Sequence, residues 1–326
     1  MAQRHIVLRA LCALLLSSIA ASAGAQGFPN RTLRLIMPYS SAGPDVVSRP
    51  VAKHMGDALG KPVVFENKGG GGGIPAILDL MNAPADGHLM VMIDSSHWGV
   101  APAVRADLPY HPLRDFAPIA HVLNTSGLLV FTLDSAPFND LRQLIAHARA
   151  NPKSVQFGVA GYAGYQHLTG ESLRLATGTD MQAIVYKGGA DVITAVLRGE
   201  VTFGYAGYAG LASNVKAGKL KMHAIVTRAR NRQIPDVPTV MEAAGLADFH
   251  FPSQTGFVAR AGTPAAVIRA LSAAVAGALS QQDVKDIAQK VGYEVVGSRP
   301  EEMAELMAAD LKRYADVVRL TGIKAE

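Results

Sequence analysis

The stretch LRLIMPYSSAGPDVVSRPVAKHMGDAL, residues 33–59, sets the pattern of this chain, because it joins a strand pattern directly to a helical one. Its aliphatic start, residues 33–38, predicts a buried strand. A helix that ends at Gly60 follows, since apolar side chains recur at helical spacing at Val47, Val51, Met55 and Leu59. The same alternation continues over most of the 326 residues and is typical of α/β folds with largely parallel sheets.

The first 25 residues have the features of an export signal. A basic start and an apolar run precede the small residues Ala23 and Ala25, which form a cleavage pattern before Gln26. The apolar run is too short for a membrane-spanning helix, which needs about 20 residues. We therefore expect cleavage between Ala25 and Gln26 and a soluble mature protein outside the cytoplasm, with an uncleaved N-terminal anchor as the alternative.

Cysteine content and charge exclude several classes of function. Cys12 is the only cysteine and lies inside the signal, so we expect no disulfide, cysteine nucleophile or cysteine metal site in the mature chain. Removal of Arg4 and Arg9 lowers the formal charge from +5 to +3, and no block of Lys or Arg could follow a phosphate backbone. The sequence therefore predicts no nucleic-acid partner.

Two α/β lobes joined by two crossings are the simplest assembly of these elements. The predicted division is a signal peptide over residues 1–25, lobe I over residues 26–126 and 254–326, and lobe II over residues 127–253. The crossings are placed near Asn124–Gly127 and Ser253–Gly256. One large doubly wound sheet is the alternative, because the length and the number of helices allow both.

Two loops, one in each predicted lobe, run from a strand end into a helix start. The unpaired N–H groups and partial positive charge of a helix N-terminus can hold an anion without a basic side chain. The candidate binding residues of the first loop are Tyr39, Ser40, Ser41, Ala42, Gly43 and Asp45, with a helix-capping role favoured for Asp45. Those of the second loop are Gly161, Tyr162, Ala163, Gly164, Tyr165 and Gln166. His167, in the first turn of the next helix, is expected to form structural hydrogen bonds.

Other strand ends supply the further candidates Ser95, Ser96, Tyr186, Lys187 and Tyr205. A surface position is an equal alternative for Lys187. The segment Asp94–Trp98 (DSSHW) places a serine close to a histidine, as a hydrolase would need. Sequence neighbours seldom meet as a catalytic triad, however, so a wall of the cleft is favoured.

Catalytic and cofactor motifs are missing from the sequence. The run Gly69–Gly73 lacks the G-x-x-x-x-G-K-[ST] spacing of a phosphate-binding loop and favours a flexible, close-packed loop. There is no G-x-S-x-G nucleophile elbow and no H-E-x-x-H metal pair. We therefore expect no enzyme activity, no cofactor and no metal.

At these residues the chain resembles the Bug-type substrate-binding proteins of tripartite tricarboxylate transporters. The resemblance covers essentially the whole mature chain, and its motifs are residues 35–49 (LIMPYSSAGPDVVSR), 62–73 (PVVFENKGGGGG), 85–89 (ADGHL), 108–118 (LPYHPLRDFAP), 185–188 (VYKG), 217–220 (AGKL), 234–239 (IPDVPT) and 261–264 (AGTP). It implies a periplasmic, two-lobed binding protein of the type II, Venus-flytrap kind. It also implies that Tyr39–Asp45 and Gly161–Gln166 grip a carboxylate between the lobes.

The chain departs from the family pattern at the site itself. Ala42 and Pro44 replace a glycine-rich run, Tyr165 and Gln166 stand where small hydroxyl residues are common, and Ala206 replaces a frequent aspartate. The missing aspartate argues against a ligand with an ammonium group, and the tyrosines hint at a larger or aromatic carboxylate.

The resemblance implies that a monomer captures a small carboxylate, which is a dicarboxylate, a tricarboxylate or an aromatic acid. The ligand then passes to the permease subunits of a tripartite tricarboxylate-type transporter in the membrane. A sensor that signals to a membrane protein is one alternative, and a secreted serine hydrolase that uses Ser95 or Ser96 with His97 is another.

Overall fold

The structure is a computed structural model that describes residues 27–39, 44–125 and 127–325. The export signal and its cleavage site lie outside the described residues, and so do Ser40, Ser41, Ala42 and Gly43 of the first candidate loop. No helix in the described ranges is long and apolar enough to cross a membrane.

Strands and helices alternate as the sequence predicts. The strands of the described residues are β1 (Leu33–Met37), β2 (Val63–Asn67), β3 (Leu89–Asp94), β4 (Phe116–Asn124), β5 (Leu129–Leu133), β6 (Gln156–Ala160), β7 (Gln182–Tyr186), β8 (Phe203–Ala206), β9 (Leu220–Ile225), β10 (Gln254–Arg260) and β11 (Glu294–Val295). The helices are α1 (Asp45–Leu59), α2 (Ile74–Asn82), α3 (Ala101–Val104), α4 (Pro112–Asp115), α5 (Leu141–Ala150), α6 (Tyr165–Thr177), α7 (Gly189–Leu197), α8 (Tyr208–Lys216), α9 (Val240–Ala244), α10 (Ala265–Ser280), α11 (Gln282–Lys290) and α12 (Pro300–Thr321).

Two separate sheets organise these strands. The first has the order β11-β4-β10-β3-β1-β2, and the second has the order β7-β6-β8-β5-β9. Strand β1 runs parallel to β2 and β3, and β6 runs parallel to β7 and β8. Strand β10 is antiparallel to β3 and β4, β11 to β4, and β5 to β8 and β9, so both sheets are mixed and the expectation of largely parallel sheets is wrong. The prediction of a two-lobed α/β fold is confirmed, and the alternative of one large sheet is wrong because no strand pairing joins the two sheets within the described residues.

Each sheet is buried on both faces by helices. Helices α1, α10 and α11 cover one face of the first sheet, while α2 and the first half of α12 cover the other. In the second sheet, α5, α6 and α9 lie on one face, with α7 and α8 on the opposite face. Parallel strands buried on both sides need continuous apolar runs, which is why Leu35–Met37 of β1 is fully buried.

The two lobes are connected where the chain crosses from one sheet to the other. The chain leaves the first sheet after β4 and returns to it before β10. The crossings lie side by side, since the backbone N–H and the hydroxyl of Thr125 both donate to the carbonyl oxygen of Ser253, at 2.9 and 3.1 Å. Helix α12 spans the junction: Met303 and Met307 pack in the core of the first lobe, and Tyr314 and Val317 pack in that of the second.

Candidate functional site

A single π-helical turn, Ser96–Val100, lies between Tyr39, where the first candidate loop begins, and the helix that follows the second loop. It directly follows β3, beside the end of β1 where the first loop begins. Helix α6, which follows the second loop, contacts the same turn from the other lobe. Val100 therefore shares a hydrophobic cluster with Ala163 and Leu168 of lobe II. The carboxyl ends of strands in open α/β sheets are where ligands usually bind.

On the lobe I side, Tyr39, Asp94 and His97 form a hydrogen-bonded chain. The Tyr39 hydroxyl donates a short hydrogen bond to Oδ2 of Asp94. The other carboxylate oxygen lies 2.7 Å from Nδ1 of His97 and accepts from the backbone N–H of Ser96 at 2.9 Å. Burial by itself would raise the pKa of Asp94, but the charge of His97 and the three hydrogen bonds outweigh it and lower that pKa below its usual value. The pKa of Tyr39 is raised by burial and by Asp94, so its hydroxyl stays a donor.

The last glycine of the polyglycine run packs against His97. Residues 70–73 all have positive φ, from 55° to 100°, and Gly71–Gly73 form one 3-10 turn. A Cβ atom on Gly73 would lie 2.4 Å from Nε2 of His97. The expectation of a close-packed loop is therefore confirmed at this glycine.

Asp45 does not cap α1, contrary to the favoured interpretation. The N-cap position is occupied by Pro44, so Asp45 lies inside the first turn, where its negative charge favours the helix dipole. Its Oδ2 atom accepts a hydrogen bond of 2.8 Å from Nδ2 of Asn67. Sequence reasoning missed Asn67; its position as the last residue of β2, at the same sheet edge as the loop, was the available signal.

On the lobe II side, the loop after β6 is shaped by two residues in the left-handed region, Gly161 at φ +77° and Ala163 at φ +54°. The N–H of Gly161 donates to the carbonyl of Tyr186 at 2.9 Å, and that of Ala160 donates to Oε1 of Gln166 at 2.8 Å. The N-cap residue of α6, Gly164, has no side chain with which to cap the helix. The N–H groups of the first turn of α6 are thus left for a ligand.

The two aromatic side chains of this loop have different surroundings. Tyr162 is 57% exposed at the mouth of the loop. The Tyr165 hydroxyl instead donates to the carbonyl of Phe251, in the segment that leads back to lobe I. Burial, with the negative charges of Asp310 and Asp94, raises the pKa of Tyr165. Tyr165 therefore ties the loop to the returning crossing.

His167 has the structural role that its position predicts. The N–H of Ala163 donates to its Nδ1 atom at 3.0 Å, which requires a neutral ring at that nitrogen. Burial lowers the pKa of His167, although the charge of Glu171 opposes this.

Two predicted ligand contacts, Ser95 and Tyr205, lie in the protein interior, and the structure corrects their assignment. Ser95 is 2% exposed, and its hydroxyl donates to the carbonyl of Pro252 at 3.3 Å. Tyr205 is fully buried against Phe157 and Phe203. Tyr186 is half-buried, with its ring against Gly158 and its carbonyl accepting from the N–H of Gly161.

The side chains of Ser96 and Lys187 are accessible to solvent. Ser96 is half-buried in the shared turn, and Lys187 is exposed just before α7. No hydrogen bond joins the Ser95 or Ser96 hydroxyl to His97 among the described residues, because Nδ1 of His97 is occupied by Asp94 and its Nε2 faces Gly73. The geometry needed for a serine hydrolase is therefore not formed by these side chains.

Comparisons with known proteins agree with this architecture. Residues 47–323 match the family described as "Tripartite tricarboxylate transporter family receptor". Protein BugT of Bordetella pertussis is 29% identical over 310 residues, which is 94% of each chain. Solved structures of MatC from Rhodopseudomonas palustris with bound malate and of an R. palustris protein with adipate have TM-scores of 0.70 and 0.73 at 29% and 25% identity. The shared regions are 89% of this chain and 100% of MatC, and 91% of this chain and 99% of the adipate-bound protein.

The predicted resemblance to Bug-type proteins of tripartite tricarboxylate transporters is confirmed. The match begins in the first turn of α1 and extends past the end of α12, so it includes most of both lobes and the second candidate loop, whereas the first loop, Tyr39–Asp45, precedes it. The chain belongs to the tripartite tricarboxylate transporter receptor family.

Proposed function

We propose that this protein is exported after removal of residues 1–25 and captures a small carboxylate in the periplasm as a monomer. It then delivers the acid to the permease subunits of a tripartite tricarboxylate-type transporter. The observation that carries this proposal is the pair of helix starts, α1 and α6, which lack side-chain caps. Helix α6 contacts the turn Ser96–Val100, and α1 follows β1, which pairs with the strand β3 that leads into that turn. Each offers backbone N–H donors at the positive end of a helix dipole, which favours an anionic carboxylate over a neutral sugar and disfavours a cation.

The charges around the turn are compatible with an anion. The carboxylate of Asp94 is paired with His97 and receives two further hydrogen bonds, so its charge is largely compensated. In lobe II, the exposed side chain of Lys187 adds a positive charge beside a third helix start, that of α7. A ligand that contacts both lobes stabilises the closed arrangement by its differential contacts.

The class of acid follows from two lines of support. Relatives of similar fold bind malate and adipate, which are both dicarboxylates. The ring of Tyr162, 57% exposed at the lobe II loop, offers a face for an apolar or aromatic ligand body. We therefore propose a dicarboxylate, a tricarboxylate or an aromatic carboxylate as the ligand.

Thermal unfolding with a ligand panel tests the proposal. Adipate, malate, citrate and benzoate represent the acids, while glucose and Mg²⁺ serve as controls of other chemistry. A binder at 100 times its Kd stabilises the folded protein by about 2.7 kcal/mol, which is a clear rise in Tm. A rise with at least one acid supports the proposal; a rise with glucose or Mg²⁺ and with none of the acids overturns it.

A further inference from the structure

The side chain of Asn67 joins the two ends of the first candidate loop. Its Nδ2 atom donates to the carbonyl oxygen of Tyr39 at 3.2 Å and to Oδ2 of Asp45 at 2.8 Å. Its Oδ1 atom accepts a short hydrogen bond from the Arg49 guanidinium. One carboxamide therefore connects the end of β1, the first turn of α1 and the end of β2.

These partners allow only one orientation of the carboxamide. Tyr39 and Asp45 offer acceptors, so the NH₂ group must face them. Arg49 offers only donors, so the carbonyl oxygen must face it. An aspartate has the same shape but no donor, and it would place a second carboxylate against Asp45.

Asn67 acts where the strand pairing ends. The ladder between β1 and β2 finishes at the Met37–Asn67 pair and a last hydrogen bond from the N–H of Lys68 to the carbonyl of Met37, at 2.8 Å. Past the end of this ladder, the described residues connect Tyr39 to β2 through the side chain of Asn67 and not through the backbone.

The guanidinium that holds Asn67 is itself fixed. Arg49 lies 4.5 Å above the ring of Phe65 and 3.5 Å from Oδ2 of Asp45, one helical turn away on α1. Stacking over an aromatic ring restrains an arginine that is otherwise exposed. The network thus anchors the first turn of α1 to the edge strand β2.

We propose that Asn67 is a positioning residue, which holds the start of α1 at a fixed distance from the end of β1 and thereby sets the lobe I half of the ligand site. The inference rests on the proposed function, because it assigns a role to Asn67 within that carboxylate site. Asn67 acts through Tyr39 and Asp45 and needs no contact with the ligand.

The test compares Asn67→Ala and Asn67→Asp with the control Glu66→Ala. Glu66 is the neighbouring residue of β2 and forms a bidentate pair with Arg34 of β1, at 2.7 Å for both contacts, so its loss weakens the same strand pair without touching α1. Two readouts are used: the Kd of the tightest binder among adipate, malate, citrate and benzoate, and hydrogen exchange of the Val47 and Ser48 amides in the ligand-free protein.

We expect Asn67→Ala to weaken binding by about tenfold and Asn67→Asp by more, while Glu66→Ala stays within about twofold of the original protein. Exchange at Val47 and Ser48 should rise in both Asn67 variants and stay unchanged in the control. If Asn67→Asp does not fold, Asn67→Ala decides alone. Equal Kd values and equal exchange in Asn67→Ala and Glu66→Ala would overturn the positioning role.

The two proposals fail in different ways. If no acid of the panel binds the original protein, the proposed function fails, and the exchange comparison still decides whether Asn67 positions α1. If an acid binds but Asn67→Ala and Glu66→Ala affect its Kd alike, the proposed function stands and the role of Asn67 in the site is refuted.

Discussion

Replacement of Gly73 by alanine perturbs the site through the packing of the polyglycine turn. The new Cβ atom would lie 2.4 Å from Nε2 of His97 and 2.8 Å from Cβ of Pro38, and the residue has φ +80°. His97 cannot move aside freely, because it is 3% exposed and bound to Asp94 at 2.7 Å. Gly72 supplies a matched control, since it has φ +62° with no atom within 4 Å of its added Cβ.

The two substitutions separate backbone strain from steric overlap. An alanine in the left-handed region costs about 1 kcal/mol, which is the whole expected effect of Gly72→Ala. Overlap in a packed site adds about 2 kcal/mol, so Gly73→Ala should lower the free energy of unfolding by about 3 kcal/mol. Because His97 holds Asp94, Gly73→Ala should also weaken carboxylate binding, and Gly72→Ala should leave it unchanged.

Urea unfolding and calorimetric titration with the best acid of the panel measure both effects. The double variant Gly73→Ala/His97→Ala gives a second readout, since removal of the ring relieves part of the overlap and should reduce the cost of the alanine at residue 73. Equal losses of stability in Gly72→Ala and Gly73→Ala would refute the packing of the turn against His97.

Two further predictions concern lobe II. His223, whose Nε2 lies 2.9 Å from Oγ1 of Thr132, has a pKa lowered by burial from 6.5 to about 4. Because the folded state binds this proton more weakly than the unfolded state, the free energy of unfolding should fall by about 3 kcal/mol in total as the pH drops from 6.5 toward 4. Urea unfolding at several pH values measures this change. A His223→Gln variant that keeps the full slope would contradict this. Tyr165→Phe removes the hydroxyl that donates to the carbonyl of Phe251 and should lower the free energy of unfolding by about 1–2 kcal/mol. The control Tyr162→Phe changes an exposed ring and should alter that free energy by less than about 0.5 kcal/mol. Equal effects of the two substitutions would contradict the role of Tyr165 in linking the loop to the crossing.

Most of the strand and helix order could be predicted from the sequence because its signals are local, but β4 and β10, the two antiparallel strands of the first sheet beside the crossings, were missed. The spacing of apolar residues predicts the first helix, and Gly60 predicts its end. In the structure Gly60 adopts φ +70° directly after α1. The glycines around Tyr162 likewise mark the second loop, where Gly161 indeed has positive φ. Such features depend on neighbours a few residues apart, so they need no knowledge of the sheet order.

Side-chain direction at the strand ends could not be predicted in the same way. Tyr205 is the last residue but one of β8, a central strand whose two faces are both covered by helices, so a position near the strand end did not expose its ring. Ser95 turns inward because the returning crossing at Pro252 lies beside it, a contact over 157 positions in the chain. Asn67 was missed for the same reason: its role depends on β2 pairing with β1.

Titration calorimetry with a matched pair of ligands, adipate and its diamide adipamide, tests the central claim most directly. The two molecules share their carbon chain. The ends of adipate are charged and only accept hydrogen bonds, whereas the amide ends of adipamide are neutral and also donate them. Helix starts that present N–H donors favour the carboxylate, so we predict saturable binding of one adipate per chain and at least about tenfold weaker binding of adipamide. Equal binding of the two, or tighter binding of the diamide, would contradict a carboxylate site between the lobes.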